Sequence, residues 1–183
     1  MREIEFRGKK EIITSANIGY CPNGWVYGDS IYQEGEDIYI LPNGISAEAY
    51  HIEPYDFRAN SDRYEIMLSK IKKNTLGQYT GLKDKNGKKI FEGDIVEVSI
   101  VEEDLEGYSP FIVSKFNGEV FFDKFTSKFQ IVQKIYIEED NSYEYEQYDL
   151  LYGTNGVIGN IYDNPELLEM AEIKNKNGGN DET

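Results

Sequence analysis

Residues 76–98, LGQYTGLKDKNGKKIFEGDIVEV, constrain the fold of this chain more than any other segment. Two turn sequences interrupt runs in which apolar and polar residues alternate, the pattern of strands buried on one face. The pair Asn86-Gly87 suits the positive φ of a tight hairpin turn, and residues 92–94 provide a second reversal. The segment therefore predicts a β-hairpin that feeds a third strand.

Short aromatic and β-branched runs predict strands elsewhere in the chain. Turn pairs separate those near the N-terminus, which predicts an antiparallel meander. Downstream of the hairpin, strands are predicted at residues 95–101, 111–116, 119–125 and 129–137. The pair Asn117-Gly118 between two of these strands predicts another tight hairpin turn.

Two segments have helical signals. Residues 61–73 place Tyr64, Met67, Leu68 and Ile71 at the spacing of one helix face, which predicts an amphipathic helix. The pair Asn164-Pro165 has a capping residue followed by proline, which predicts the start of a short C-terminal helix.

These elements predict a mainly β chain, a β-rich α+β fold. Length and composition permit a substantial core, because 39% of the 183 residues are hydrophobic. The C-terminal lobe is expected to be a small bent sheet or partial barrel, since short strands with tight turns tend to close on themselves. The predicted organisation is an N-terminal β lobe at 1–60, a linking helix at 61–75, a C-terminal β lobe at 76–173 and a disordered polar tail at 174–183.

Two motifs carry a resemblance to a known family. GQYTGLKDKNGKKIFEGDIV, residues 77–96, and GVIGNIYDNPELL, residues 156–168, resemble the central and closing motifs of the YopX family of phage and prophage proteins. The resemblance implies a phage or prophage origin, a bacterial cytoplasm and a β-rich fold. It implies no catalytic residues.

Composition limits where the protein works and what it binds. No apolar run reaches the ~20 residues of a membrane span and the N-terminus lacks a secretory signal, so a cytoplasmic protein without membrane contact is expected. The net charge is −15, and residues 102–183 hold 18 acidic against 6 basic residues. This charge argues against nucleic acid as a partner.

A local basic cluster is the exception to this acidity. Its four lysines surround the predicted Asn86-Gly87 turn: Lys83, Lys85, Lys88 and Lys89. They are candidates for contact with an anion or a nucleic acid, with Tyr79 or Phe91 as a stacking platform. The alternative is that the lysines only keep an exposed turn solvated and protect neighbouring strand edges.

An acidic, tyrosine-rich segment, residues 138–149, is predicted to be an irregular loop. It is also the candidate interaction surface, because tyrosines provide contact area and the carboxylates steer a basic partner. The residues proposed for this surface are Tyr143, Glu144, Tyr145, Glu146 and Tyr148. The alternative is a solvated connection without a binding role.

No motif predicts catalysis, a metal site or a cofactor. His51 is the only histidine and Cys21 the only cysteine, so a zinc site lacks ligands and each reactive dyad depends on one residue. The segment at 87–93 has the glycines of a phosphate loop but lacks its Gly-Lys-Ser/Thr ending. A protein that is not an enzyme and needs no cofactor is expected.

Three functional hypotheses follow. The first is a phage-encoded accessory protein that binds an unknown host or phage protein or assembles with itself as a homo-oligomer. The second is an acidic mimic of DNA that inhibits a host nucleic-acid-binding protein. The third is a small β-barrel that binds nucleic acid through the basic hairpin.

Overall fold

The computed structural model describes residues 3–11, 22–41, 69–103, 110–137, 141–150 and 154–168. Within these residues the chain forms antiparallel β-strands joined by turns and short 3-10 helices. The prediction of a mainly β chain with antiparallel sheets is confirmed. The chain divides into two compact units, Met1–Tyr79 and Thr80–Thr183.

The first unit contains two groups of strands around one apolar cluster. Its strands are β1 (Phe6–Lys9), β2 (Trp25–Gly28), β3 (Ser30–Glu34), β4 (Asp37–Leu41) and β5 (Ser69–Ile71). β3, β4 and β5 form a three-stranded sheet in that order, while β1 pairs with β2. The cluster is built mainly from β-branched residues: Val26, Ile38, Ile40 and Ile71, with Phe6 and Leu76 packed against them.

The predicted linking helix is wrong where the structure describes it. Ser69–Ile71 is the strand β5, and a 3-10 helix follows at Lys73–Thr75. Ile71 lies opposite Ile38 of β4 and is 2% exposed, so burial against a neighbouring strand overrides the helical spacing. Residues 61–68 of the predicted helix lie outside the described residues.

The second unit is built on a five-stranded sheet. β6 (Gly77–Lys83) begins in the first unit and ends in the second, where its neighbour is β7 (Lys89–Phe91). The sheet has the order β11-β10-β9-β8-β12. Its strands are β8 (Asp94–Glu103), β9 (Pro110–Asp123), β10 (Lys128–Ile137), β11 (Ser142–Asp149) and β12 (Thr154–Asn160).

The apolar core of the second unit lies on one face of this sheet. The fully buried Val120 of β9 and Ile131 of β10 are cross-strand partners, which explains the alternation of buried and exposed positions along β10. The buried members of this cluster are Ile90, Val96, Val98, Phe116, Val120, Ile131 and Leu150.

The predicted hairpin turn at Asn117-Gly118 is wrong. Both residues lie inside β9, a strand of 14 residues that pairs with β8 and β10. A Cβ at Gly118 would lie 2.2 Å from Cγ2 of Ile131, so close packing against β10 accounts for the glycine. The Asn-Gly pair here reflects a tight contact and not a reversal of the chain.

The predicted C-terminal helix is present only as a four-residue 3-10 helix, Pro165–Leu168. The side-chain amide (Nδ2) of Asn117 donates a hydrogen bond to the carbonyl oxygen of Leu167 at 3.0 Å, and this contact holds the 3-10 helix against β9. Residues 169–183, including the predicted tail, lie outside the described residues.

Candidate functional site

The basic hairpin has the predicted turn, with its lysines on the outside. The N–H of Gly87 donates to the carbonyl of Asp84 at 2.9 Å, and Gly87 has a φ of +81°. This pattern matches a type I turn followed by a left-handed residue. Three of the four lysines are exposed, namely Lys83, Lys85 and Lys88. The fourth, Lys89, is half-buried.

The turn is organised around the carboxylate of Asp84, whose side chain is buried. Its Oδ1 accepts the N–H groups of Asn86 at 2.8 Å and Lys88 at 2.9 Å, and its Oδ2 accepts the N–H of Val157 at 3.0 Å. Burial raises the pKa of Asp84, but these donors and the charge of Lys88 outweigh it and hold that pKa below its usual value. The amides of Asn86 and Lys88 are already bound to this carboxylate, so they do not form an anion-binding cradle.

Val157 belongs to the closing motif, so Asp84 joins the two segments that carry the family resemblance. A second junction lies at the following turn, where Gly93 donates to the carbonyl of Val120 at 2.7 Å and accepts the N–H of Ile161 at 3.0 Å. The buried Asp94 completes that turn by accepting the N–H of Phe91 at 2.8 Å. Asp84, Gly93 and Asp94 of the first motif therefore hold the β6–β7 hairpin and β8 against the second motif, residues 156–168.

The predicted stacking platform for bases is wrong. Tyr79 is 3% exposed and Phe91 is 4% exposed, so neither ring offers a face to a nucleotide. Both side chains belong to the interior because alternate residues of their strands point inwards.

The predicted acidic loop is a strand. Ser142–Asp149 forms β11, the edge strand that pairs with β10 over eight residue pairs. Tyrosines and acids are compatible with an edge strand because one face of it packs and the other meets solvent. Residues 138–140 of the predicted loop lie outside the described residues.

This strand distributes the five predicted surface residues between two faces. Tyr143 and Tyr145 project from one face and are 51% and 64% exposed. Tyr148 projects from the other face, where its ring packs on Phe116 with centroids 4.8 Å apart. Its hydroxyl donates to Glu146 at 2.5 Å, while Glu144 is exposed. Tyr148 is therefore a packing residue, and the exposed aromatic surface is narrower than predicted.

The ring of Tyr143 is held by residues of β10. The ammonium of Lys134 lies 3.9 Å from the ring centroid, a cation–π geometry, and the ring of Tyr136 is 5.4 Å away. The hydroxyl of Tyr136 donates a hydrogen bond to Oδ1 of Asn141 at 2.7 Å. A ring held in this way loses little further freedom on binding.

Phe125 is not among the predicted site residues, yet it is 100% exposed in the turn between β9 and β10. Asp123 fixes this turn by accepting the hydroxyl of Thr126 at 2.6 Å and the N–H of Phe125 at 2.9 Å. These hydrogen bonds lower the pKa of Asp123. An aspartate followed three residues later by threonine is a local turn signal, and it was available in the sequence.

Glu119 is a half-buried carboxyl in the centre of the sheet, opposite Ile95 on one side and Val132 on the other. Burial raises the pKa of Glu119, and the negative charge of Glu92 raises it further. A carboxyl whose pKa is raised by folding contributes stability below its ordinary pKa of 4.5 and loses that contribution as pH rises through the folded value. Glu119 therefore opposes folding at neutral pH.

We expect Glu119→Gln to raise the free energy of unfolding by about 0.5 kcal/mol at neutral pH, because the charge is removed from a half-buried position. The gain should disappear at pH values below the ordinary pKa of the carboxyl. Urea denaturation at neutral and acidic pH measures both effects. Glu144→Gln, at an exposed position of β11, is the control, and an equal gain in both variants would contradict the assignment.

In the described part of the chain, no group of three or more His, Cys, Asp or Glu residues could hold a metal ion. His51 and Cys21 lie outside the described residues. Among the helices within those residues, none has the length and apolar character needed to span a bilayer.

Comparison with known families identifies a family for this chain. The family model described as YopX protein aligns with residues 23–169, which is most of the chain and includes both motifs. A search of curated proteins finds no match to this chain.

Proposed function

Since this chain belongs to the YopX family, we propose that it is a phage- or prophage-encoded accessory protein that binds another protein and does not catalyse a reaction. The family resemblance supports this setting and a bacterial cytoplasm as the place of action. The second unit supplies the binding surface.

The observation that carries this proposal is the exposure of aromatic side chains on rigid parts of the second unit. Tyr145 is 64% exposed and Tyr143 51% exposed on a regular strand, and Phe125 is fully exposed on a hydrogen-bonded turn. Aromatic residues dominate the energetic centres of protein interfaces, and a fixed position reduces the entropy lost on binding. We name Tyr143 and Tyr145 together the tyrosine pair.

The chemistry of the buried acids also favours binding over catalysis. Asp84 and Asp94 accept backbone N–H groups of turns, and this role stabilises the turns. A general base needs a carboxylate that can reach a proton on a substrate. These two carboxylates are committed to structure.

Capture from a lysate of the bacterial host, compared among variants, tests the proposal. We expect the wild-type protein to retain a defined protein in stoichiometric amount, and a Tyr143→Ser/Tyr145→Ser/Phe125→Ser variant to lose it. Loss of these three anchor aromatics should weaken binding by about a hundredfold or more. Mass spectrometry of the captured material and sedimentation of the purified complex measure this result.

Tyr27→Ser/Ile31→Ser is the matched control, because it removes exposed apolar side chains from the first unit instead. This control should bind the same protein as the wild type. If all three forms retain the same proteins, or if none forms a complex in sedimentation, the proposed surface is wrong. A captured protein that DNA displaces in competition would favour the acidic DNA mimic instead.

A further inference from the structure

The two edges of the five-stranded sheet differ in how they are protected. β12 has two register irregularities, at Thr154/Gly156 and at Val157/Gly159. The backbone of Val157 is also engaged, since its N–H donates to Asp84 at 3.0 Å and its carbonyl lies 3.5 Å from Nζ of Lys88. Bulges and covering contacts of this kind prevent a sheet edge from pairing with another chain.

The other edge of the sheet, β11, has no register irregularity. Its register with β10 runs without interruption from Gln130↔Asp149 to Ile137↔Ser142. The strand has eight residues, SYEYEQYD, and contains neither lysine nor proline, the residues that commonly block edge pairing. In the described part of the chain, β10 is its only strand partner. Such a long and regular edge is a template for another strand.

The charge of β11 determines which strand it accepts. Glu144, Glu146 and Asp149 make it acidic, and it has no basic residue. Two copies of β11 paired antiparallel would bring these carboxylates together across the new interface, which costs free energy. A strand with lysine or arginine at alternate positions would instead form opposite-charge pairs.

The alternation of side chains sets the pattern of the partner. Tyr143 and Tyr145 project from one face of β11 and Glu144 and Glu146 from the other, because successive residues of a strand face opposite ways. A partner strand that alternates apolar and basic residues would place the apolar ones beside the tyrosine pair and the basic ones beside the glutamates. This match combines ring contact with charge complementarity.

We infer that β11 binds an extended basic segment of another protein as a sixth strand of the sheet. This inference rests on the proposed function and names the chemistry of the partner. Backbone hydrogen bonds provide the affinity, while the alternating tyrosines and glutamates of β11 select the segment.

Synthetic peptides as long as β11 test the inference with the intact protein. The probes are an alternating Lys-Val peptide, a Glu-Val peptide with the opposite charge and a Lys-Pro peptide with the same charge but without half of the backbone donors. We expect the Lys-Val peptide to bind in fluorescence anisotropy, and the other two at least about tenfold more weakly. Hydrogen exchange of the β11 amides should slow only when the Lys-Val peptide is bound.

Charge reversal supplies the matched variants. Glu144→Lys/Glu146→Lys should weaken binding of the Lys-Val peptide by about tenfold or more and favour the Glu-Val peptide. Glu34→Lys/Glu36→Lys makes the same change at two exposed positions of the first unit and should bind like the wild type. The single variant Glu144→Lys alters only an exposed side chain, so it tests the same point if the double variant folds poorly.

Three results would overturn the inference: no binding of the Lys-Val peptide at low salt, equal binding of the Lys-Pro peptide, or equal loss in both charge-reversal variants. Failure here is separable from failure of the proposed function. If no peptide binds but capture from the lysate still depends on the tyrosine pair, strand addition is wrong and protein binding stands. If the Lys-Val peptide binds as expected but capture is insensitive to the tyrosine pair, the inferred chemistry stands and the proposed physiological surface is wrong.

Discussion

Gly28→Ala is expected to destabilise the first unit by about 4 kcal/mol or more. A Cβ at this position would lie 1.7 Å from the carbonyl oxygen of Leu41 and 2.6 Å from Cγ2 of Ile40. A side-chain rotation cannot relieve contact with a backbone oxygen. β2 and β4 would therefore have to separate around the buried cluster that includes Ile40.

The only tryptophan of the chain makes this effect measurable in the first unit. Trp25 lies in β2, is 5% exposed, and has the guanidinium of Arg7 over its ring at 4.8 Å. Its emission should shift to that of a solvent-exposed indole in Gly28→Ala under conditions where the wild type is folded. Denaturation followed by this emission gives the loss of free energy.

Gly156→Ala is the control for Gly28→Ala, because a Cβ at Gly156 meets only ordinary contacts at 3.5 Å or more. Its emission transition should match that of the wild type. A wild-type transition in Gly28→Ala would mean that β2 and β4 are not packed as closely as the structure places them.

Asp84→Ala is expected to lower the free energy of unfolding of the second unit by about 4 kcal/mol. The substitution removes a buried carboxylate that accepts three backbone N–H groups, two in the β6–β7 turn and one at Val157 of β12. Each of these part-buried N–H groups that is left without its acceptor adds to the cost. Chemical denaturation followed by circular dichroism measures the loss, and hydrogen exchange should rise first in the β6–β7 turn and β12.

Asp84→Asn separates the contributions of the two carboxylate oxygens. Its single oxygen can still accept the N–H groups of Asn86 and Lys88, but its amide group would then face the N–H of Val157, donor against donor. We expect an intermediate loss of about 2 kcal/mol, with faster exchange in β12 but little change in the turn. Asp149→Ala, at an exposed position of β11, should change stability by less than about 0.5 kcal/mol.

The stabilisation by Asp84 should depend on pH in a defined direction. Folding lowers the pKa of this carboxyl, so its contribution is present above the ordinary value of 3.8 and is lost as pH falls through the lower folded value. The difference in stability between the wild type and Asp84→Asn should therefore shrink in that acidic range. A difference that stays constant through it would contradict the assigned role.

Local turn chemistry explains which parts of this fold were predictable. The Asn86-Gly87 turn depends on a segment of five residues, in which the carbonyl of Asp84 accepts the N–H of Gly87 and Gly87 has a positive φ. The two strands of the hairpin lie on either side of this segment. The family motifs were recognisable for the same reason, because their glycines and aspartates are required by turns that fasten them together. The alternation that marks β8 and β10 also reflects a local rule, since successive residues face opposite sides of a sheet.

The errors occurred where a distant segment decides the conformation. Gly118 resembles a turn residue in sequence, but it is a strand residue because Ile131 packs where a side chain would lie. Ile71 fits a helical spacing, but burial opposite Ile38 makes it a strand residue. The candidate site differs from its prediction for the same reason. Tyr148 is predicted at the surface with Tyr143 and Tyr145, but its ring is partly buried and packs on Phe116 of the core.

The amino-acid sequence was sufficient to predict that the chain is mainly β, that a hairpin turns at Asn86-Gly87, and which residues supply acidic, basic and aromatic character. These properties depend on short-range backbone preferences and on composition. Tertiary contacts were needed to show that the acidic, tyrosine-rich segment forms a regular edge strand, and that the carboxylates of Asp84 and Asp94 accept backbone N–H groups. Pairing and burial join residues far apart in the chain, and the free energy of those contacts exceeds local preference.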